Sequence, residues 1–144
     1  MIRMMKTADI DSVAKIWLDG NIKAHDFVPA RYWTGIFDSV KEMFPQAEVY
    51  VYEDENSRNV QGFIGLQSDY VAGIFVAEGM RSRGIGKRLV DYAKNKRDSL
   101  QLSVYQKNTR AADFYKREGF CVQCEGTDDN TGEKEYVMIW QRQG

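Results

Sequence analysis

The stretch IFVAEGMRSRGIGKRL, from Ile74 to Leu89, places an apolar β-type run before a glycine-bearing turn and the first residues of a helix. Backbone amides at a helix start are unpaired donors, and the helix dipole adds partial positive charge there. Glycine lets an anion approach the main chain closely, so the physical reading is a phosphate or pyrophosphate site. Two familiar phosphate motifs fail on inspection. A P-loop using Gly86-Lys87 needs Gly at 81 and Ser or Thr at 88, and both positions are Arg. A dinucleotide fingerprint starting at Gly84 needs Gly at 89, where Leu89 stands, and no alternating βα series follows.

Working outward, residues 1–5 suit a short opening strand. Thr7 or Asp9 can cap a helix to about residue 24, whose Ile10, Val13, Ile16, Trp17 and Leu18 recur on one face. A second helix starts near Pro29, carries Tyr32, Trp33, Ile36, Phe37 and Val40 to Phe44, and ends at Pro45. Runs at 47–55 and 60–67 read as a hairpin, and 69–76 as a third strand. Helical spacing over 84–97 is followed by a strand at 99–105 and a helix at 108–118, with Gly119 as its stop signal. FCVQCEG and EYVMIWQR flank the turn-rich DDNTG and form a terminal hairpin. The order β-α-α-β-β-β-α-β-α-β-β predicts a mixed α/β (α+β) fold in a single domain over 1–144.

Composition narrows the function classes. A chain of 144 residues buries about two-thirds of its unfolded surface, enough for a core without metals or disulfides. Twenty Lys and Arg against 21 Asp and Glu give a net charge of −1, which argues against broad nucleic-acid binding through many phosphate contacts. The opening MIRMMKTADID has no apolar signal-peptide core, and no apolar run approaches the roughly 20 residues of a membrane span. A cytoplasmic protein without nucleic-acid or membrane partners is expected. Cys121 and Cys124 form C-x-x-C, but in a β run after a helix and with one His in the chain, so two free thiols and no metal site are expected.

The pattern R-x-x-G-x-G after a strand, followed about 20 residues later by VYQKNTRAADFYKREGF, resembles the GNAT superfamily of acetyl-CoA-dependent N-acetyltransferases. Within it, the chain looks most like the small bacterial YjaB-like and YiaC-like members. The resemblance implies a central, mixed but mostly antiparallel sheet of about seven strands flanked by about four helices, with splayed central strands at the coenzyme site. It also implies that backbone groups of Ile74, Phe75 and Val76 bond the pantetheine arm. Main-chain amides of Ser82, Arg83, Gly84, Ile85, Gly86 and Lys87 would wrap the pyrophosphate, with Arg81, Arg83, Lys87 and Arg88 adding positive charge. By the same resemblance, Asn108 contacts the coenzyme and Tyr115 is the acid that protonates the departing thiolate.

Transfer from a thioester to an amine needs a neutral nitrogen, and an alkylammonium has a pKa of ~10.4. Direct transfer in a ternary complex is expected, with a primary amine, possibly a protein lysine, as acceptor and the protein a monomer or homodimer. Some relatives carry a Glu base where Ser103 stands here, which leaves Asp69, Glu48, His25 or a water relay. His25, Phe27, Trp33 and Tyr70, with Tyr50, are candidate acceptor-pocket residues. Two other readings are a non-catalytic acyl-CoA-binding or sensing domain, and an interaction protein presenting an aromatic patch around Tyr32 and Trp33.

Overall fold

The computed structural model describes residues 1–80 and 83–143. Arg81 and Ser82, both expected at the coenzyme, lie outside the described residues. The elements are β1 (Ile2–Met4), α1 (Ile10–Ala24), α2 (Ala30–Met43), β2 (Glu48–Glu53), β3 (Val60–Gln67), β4 (Tyr70–Val76), α3 (Ile85–Lys96), β5 (Ser99–Tyr105), α4 (Thr109–Arg117), β6 (Cys121–Thr127) and β7 (Lys134–Gln141). All seven strands join one sheet in the order β1-β2-β3-β4-β5-β7-β6. Every strand pair is antiparallel except β4–β5. The element order, the sheet and its four α-helices match the expectation from sequence.

Alternation along the strands divides the core between the two sheet faces. On one face, Ile64, Leu66, Leu100, Leu102 and Met138 pack against Ile85, Leu89, Val90 and Ala93 of α3 and Ala112 and Tyr115 of α4. On the other, Val49, Val51 and Phe63 pack against Val13, Ala14 and Ile16 of α1. Each buried aliphatic chain contributes about 1.5–3 kcal/mol of burial free energy, so these apolar stripes hold the helices in place.

One local expectation fails. Neither Thr7 nor Asp9 caps α1 with its side chain, because a 3-10 turn at Thr7–Asp9 runs straight into the helix. Asp9 instead accepts from Arg3 at 2.7 Å and from the Lys6 amide at 2.7 Å. Arg3 also reaches Glu53 at 2.9 Å, so this trio ties β1, β2 and the start of α1 together. The Arg3 hydrogen bonds are the main cause that holds the Asp9 carboxyl below its ordinary range.

The feature that positions the site is a defect in the sheet. Gly65 pairs with Gly73 and Leu66 with Val71, leaving Ala72 as an extra residue in β4. Such a bulge bends its strand. Before it, β4 and β5 share the single register pair Tyr70–Gln101, and from there they diverge. The sheet therefore opens between its central strands, as the resemblance implied.

Candidate active site

The divergence of β4 from β5 creates a cleft of about 920 Å³. It runs from the first turn of α3, past Tyr115 of α4, to the turn of the terminal hairpin. Register fixes what β4 offers to it. The Ala77 amide bonds to the Gln61 carbonyl at 2.8 Å, so by antiparallel alternation Phe75 directs its backbone groups to Phe63. Ile74 and Val76 therefore turn theirs toward the opened side. Phe75 is a correction to the expected trio: its backbone belongs to the β3 ladder, and its ring lines the cleft instead. That ring sits where a Cβ on Gly20 of α1, or on Gly73, would come within 2.8 Å of it, so both glycines are needed for the helix and strand to close around it.

Gly84 is the N-cap of α3 with φ of +77°, a left-handed conformation that a side chain disfavours by about 1–2 kcal/mol. Among the described residues no side chain caps this terminus. The Arg88 amide makes the first intrahelical bond, to the Gly84 carbonyl at 3.0 Å, so the amides of Ile85, Gly86 and Lys87 lack helical acceptors. Gly84, Ile85, Gly86 and Lys87 all line the cleft, and Arg83 beside them is exposed. Lys87 is shared with Glu118 at 3.2 Å and Asp91 at 3.4 Å. Arg88 points elsewhere, donating to the Tyr52 hydroxyl at 2.9 Å and covering its ring. Positive charge on the cleft instead comes also from Lys23, Arg110 and Arg117, which no sequence motif marked.

Tyr115 is buried at 9% exposure and lines the cleft on the inward face of α4. Burial is the main cause that pushes its phenol well above the ordinary tyrosine range, with Tyr70 adding to it. The hydroxyl thus keeps its proton at neutral pH. Asn108 caps α4, its Oδ1 accepting from the Ala111 amide at 3.2 Å, while its Nδ2 lies 3.2 Å from Nε2 of His25. With Oδ1 committed to the cap, Asn108 donates to His25, so Nε2 accepts and Nδ1 carries the hydrogen. Burial pushes the His25 pKa down to about 4, so the ring is neutral. Its Nδ1 and the Trp33 indole nitrogen are buried with no partner among the described residues.

At the hairpin end the wall is aromatic. His25 meets Tyr105 edge-on at 4.9 Å and Trp33 at 5.4 Å, and Trp33 meets Trp17 at 5.9 Å. Tyr70 lines the cleft further along, beside Gln101 of β5, whereas Phe27 packs behind the hairpin end, 5.6 Å from the rings of both His25 and Tyr105. Tyr50 lies on the α3 face, where it donates to Glu48 at 2.6 Å. Glu48 is further bound to Arg97 at 2.6 Å, and Asp69 sits 3.6 Å from the same guanidinium. Neither carboxylate lines the cleft. Glu118, beside Lys87, does, and so do two at the hairpin that sequence reading missed, Asp128 and Glu135. Their signal was the acidic spacing of the terminal hairpin, which no motif distinguishes from a solvated turn.

Trp33 is 6% exposed, so it does not present the aromatic surface patch that the interaction reading would need. Cys121 and Cys124 are free and exposed on β6, at the sheet edge and away from the cleft. No helix among the described residues is long and apolar enough to cross a membrane.

Comparison with known proteins agrees with this geometry. A family model described as the acetyltransferase (GNAT) domain matches residues 45–122. Peptidyl-lysine N-acetyltransferase YiaC of Escherichia coli K12 is 30% identical over 142 residues, spanning 97% of this chain and 96% of that protein. Peptidyl-lysine N-acetyltransferase YjaB of the same organism is 30% identical over 138 residues, spanning 96% and 92%. The solution structure of apo-form YjaB from Escherichia coli superposes with a TM-score of 0.87 at 26% identity, covering 99% of this chain and 98% of that one. With the domain match covering more than half of the sequence and relatives aligned along nearly all of it, the chain belongs to the GNAT family of acetyltransferases.

Proposed function

We propose that this protein transfers the acetyl group of acetyl-CoA directly to the ε-amine of a protein lysine, within one ternary complex. The observation that carries the proposal is the continuity of the cleft. One passage joins the uncapped amides of α3, the protonated phenol of Tyr115 and an aromatic, acid-lined opening. The lysine acceptor is supported by the names of the two relatives above and by that opening, whose rings suit an alkyl chain and whose carboxylates suit its charged end.

In this reading the amides of Ile85, Gly86 and Lys87 hold the diphosphate, helped by the dipole of α3 and by Arg110 and Arg117. The cleft-facing backbone groups of Ile74 and Val76 hold the pantetheine arm in place of the ladder bonds that β5 does not supply. Attack of the amine on the thioester carbonyl forms the C–N bond, and collapse breaks the C–S bond. The departing sulfur takes the Tyr115 hydroxyl proton. Asn108 acts through position, capping α4 and fixing the tautomer of His25. Neither cysteine takes part in this reading, since both stand exposed on β6 away from the cleft, and two free thiols fit a protein acting in the reducing cytoplasm.

The test is release of CoA thiol from acetyl-CoA in the presence of lysine-containing peptides, polyamines, aminoglycosides and free amino acids, with mass spectrometry to locate the acetyl group. Thiol release that depends on peptide, with acetylation at lysine, is the expected result. A coenzyme that raises thermal stability while no amine yields thiol would mark a non-catalytic acyl-CoA-binding domain.

A further inference from the structure

At neutral pH an alkylammonium carries the proton that blocks its lone pair, its pKa being ~10.4. A group in the cleft must take that proton before the nitrogen can attack. His25 is unsuited, because Nε2 already accepts from Asn108 and Nδ1 carries the hydrogen. Among the described residues three carboxylates line the cleft: Glu118, Asp128 and Glu135. Glu118 is held by Lys87 at 3.2 Å. Asp128 is engaged at both oxygens, by the Tyr105 hydroxyl at 2.6 Å and by the Asn130 amide at 2.9 Å. Glu135 contributes only its backbone carbonyl, to the Gln106 side chain, and among the described residues its carboxylate oxygens have no donor.

Glu135 is placed for the task by the sheet. It stands opposite Tyr105 in the β5–β7 register, so both side chains leave the same face. Tyr105 is in edge contact with His25, which puts that face at the end of α1 and the aromatic opening. A half-buried carboxylate without a cation, beside two further acids, is a site that an incoming ammonium neutralises.

We infer that Glu135 binds the acceptor ammonium in the cleft and takes its proton, an assignment that rests on the acetyl-transfer reading above. One N–H bond of the ammonium breaks and its proton moves to a Glu135 oxygen, leaving a neutral amine and a neutral carboxylic acid. The amine attacks the thioester carbonyl, the C–S bond breaks, and the sulfur takes the Tyr115 proton. The second nitrogen proton restores Tyr115 through solvent, and the Glu135 proton leaves to bulk water. The sum is one amide, one free thiol and one released proton.

The titratable groups around Glu135 are Tyr105, opposite it on β5, and Asp128 and Asp129 in the hairpin loop, while His25 at the end of α1 and Tyr32 of α2 reach this end through Tyr105 and Asp128. Burial first, then Asp128 and Asp129, raise the Glu135 pKa, which moves a carboxylate toward the range of a useful base.

The test is a pH series of kcat/KM, from pH 6 to 10.5, with a lysine peptide and acetyl-CoA, for the wild-type chain, Glu135→Gln and Glu135→Asp. The expected Glu135→Gln loss is about 10²-fold at pH 7, shrinking to within about threefold above pH ~10, where solution hydroxide deprotonates the amine. Acetyl-CoA affinity by calorimetry and the thermal midpoint stay at wild-type values, and Glu135→Asp keeps part of the neutral-pH rate. A Glu135→Gln profile superimposable on wild type overturns the inference, as does a loss of equal size at every pH. A wild-type chain that binds acetyl-CoA and releases no thiol at any pH overturns the transfer reading itself, and this inference with it.

Discussion

The two ends of the cleft are built in opposite ways. The end proposed for the coenzyme is built mainly from one continuous piece of chain, β4 and the first turn of α3, with Arg110 and Arg117 added from α4, so most of its chemistry is written in consecutive residues. The acceptor end is assembled from four separate places: His25 after α1, Trp33 in α2, Tyr105 ending β5, and Asp128 and Glu135 in the terminal hairpin. Only the folded sheet brings these together. Local chemistry at one end makes a general-purpose grip on a common donor, while long-range assembly at the other allows specificity to change without disturbing that grip.

Tyr115, where the two ends meet, gives the largest expected effect. Tyr115→Phe should lower kcat by about 10²-fold or more while leaving acetyl-CoA affinity within about twofold. Steady-state kinetics beside calorimetry will read both. Equal turnover would remove the acid from the junction and break the division of labour described above.

The acceptor end also carries a pH signature through His25. Its folded pKa of about 4 lies below the ordinary histidine value, so between about pH 4 and 6.5 the unfolded chain binds more protons than the folded one. Stability therefore rises with pH across that window, by roughly 2–3 kcal/mol if the neutral ring is retained throughout. Urea unfolding at pH 4.5, 5.5 and 7 should show this slope, and His25→Gln should flatten it. Below that window the Asp9 carboxyl, held low by Arg3, adds a second loss as it is protonated. An unchanged slope in His25→Gln would mean that the ring is charged or solvated.

Gly84→Val sharpens the comparison from the coenzyme side. A side chain at φ of +77° costs about 1–2 kcal/mol and disturbs the amides of the first α3 turn, so acetyl-CoA should bind about tenfold more weakly. The KM for the acceptor should stay nearly constant. Asp128→Asn gives the smallest effect: a two- to fivefold rise in acceptor KM with unaltered coenzyme affinity, because the Tyr105 contact is kept while one negative charge is lost.

This same asymmetry explains what could be read from the chain alone. The strand and helix order was legible because apolar periods of 2 and 3.6 persist through each element, as in Leu100, Leu102 and Val104 or Ile85, Leu89 and Ala93. That the glycine turn opens α3 and that Tyr115 lies on α4 was legible through local pattern and family resemblance. Glu135 was not, since its meaning comes from standing opposite Tyr105, thirty positions away in sequence. Asp9 misled for a related reason: in sequence it is a good helix cap, but in three dimensions Arg3 offers it a stronger partner. Glu48 and Asp69 failed as base candidates because Arg97, from beyond α3, holds both. The bulge at Ala72 that opens the sheet left no sequence signal beyond the nearby Gly65 and Gly73.

The central claim is that the opening between β4 and β5, with the first turn of α3, is where acetyl-CoA lies. Titration of ¹⁵N-labelled protein with acetyl-CoA, followed by amide chemical shifts, tests it residue by residue. The largest shifts should fall on Ile74, Val76, Gly84, Ile85, Gly86 and Lys87. Shifts concentrated instead at the separate groove lined by Phe27, Arg31 and Asn130, with the α3 amides unmoved, would contradict it.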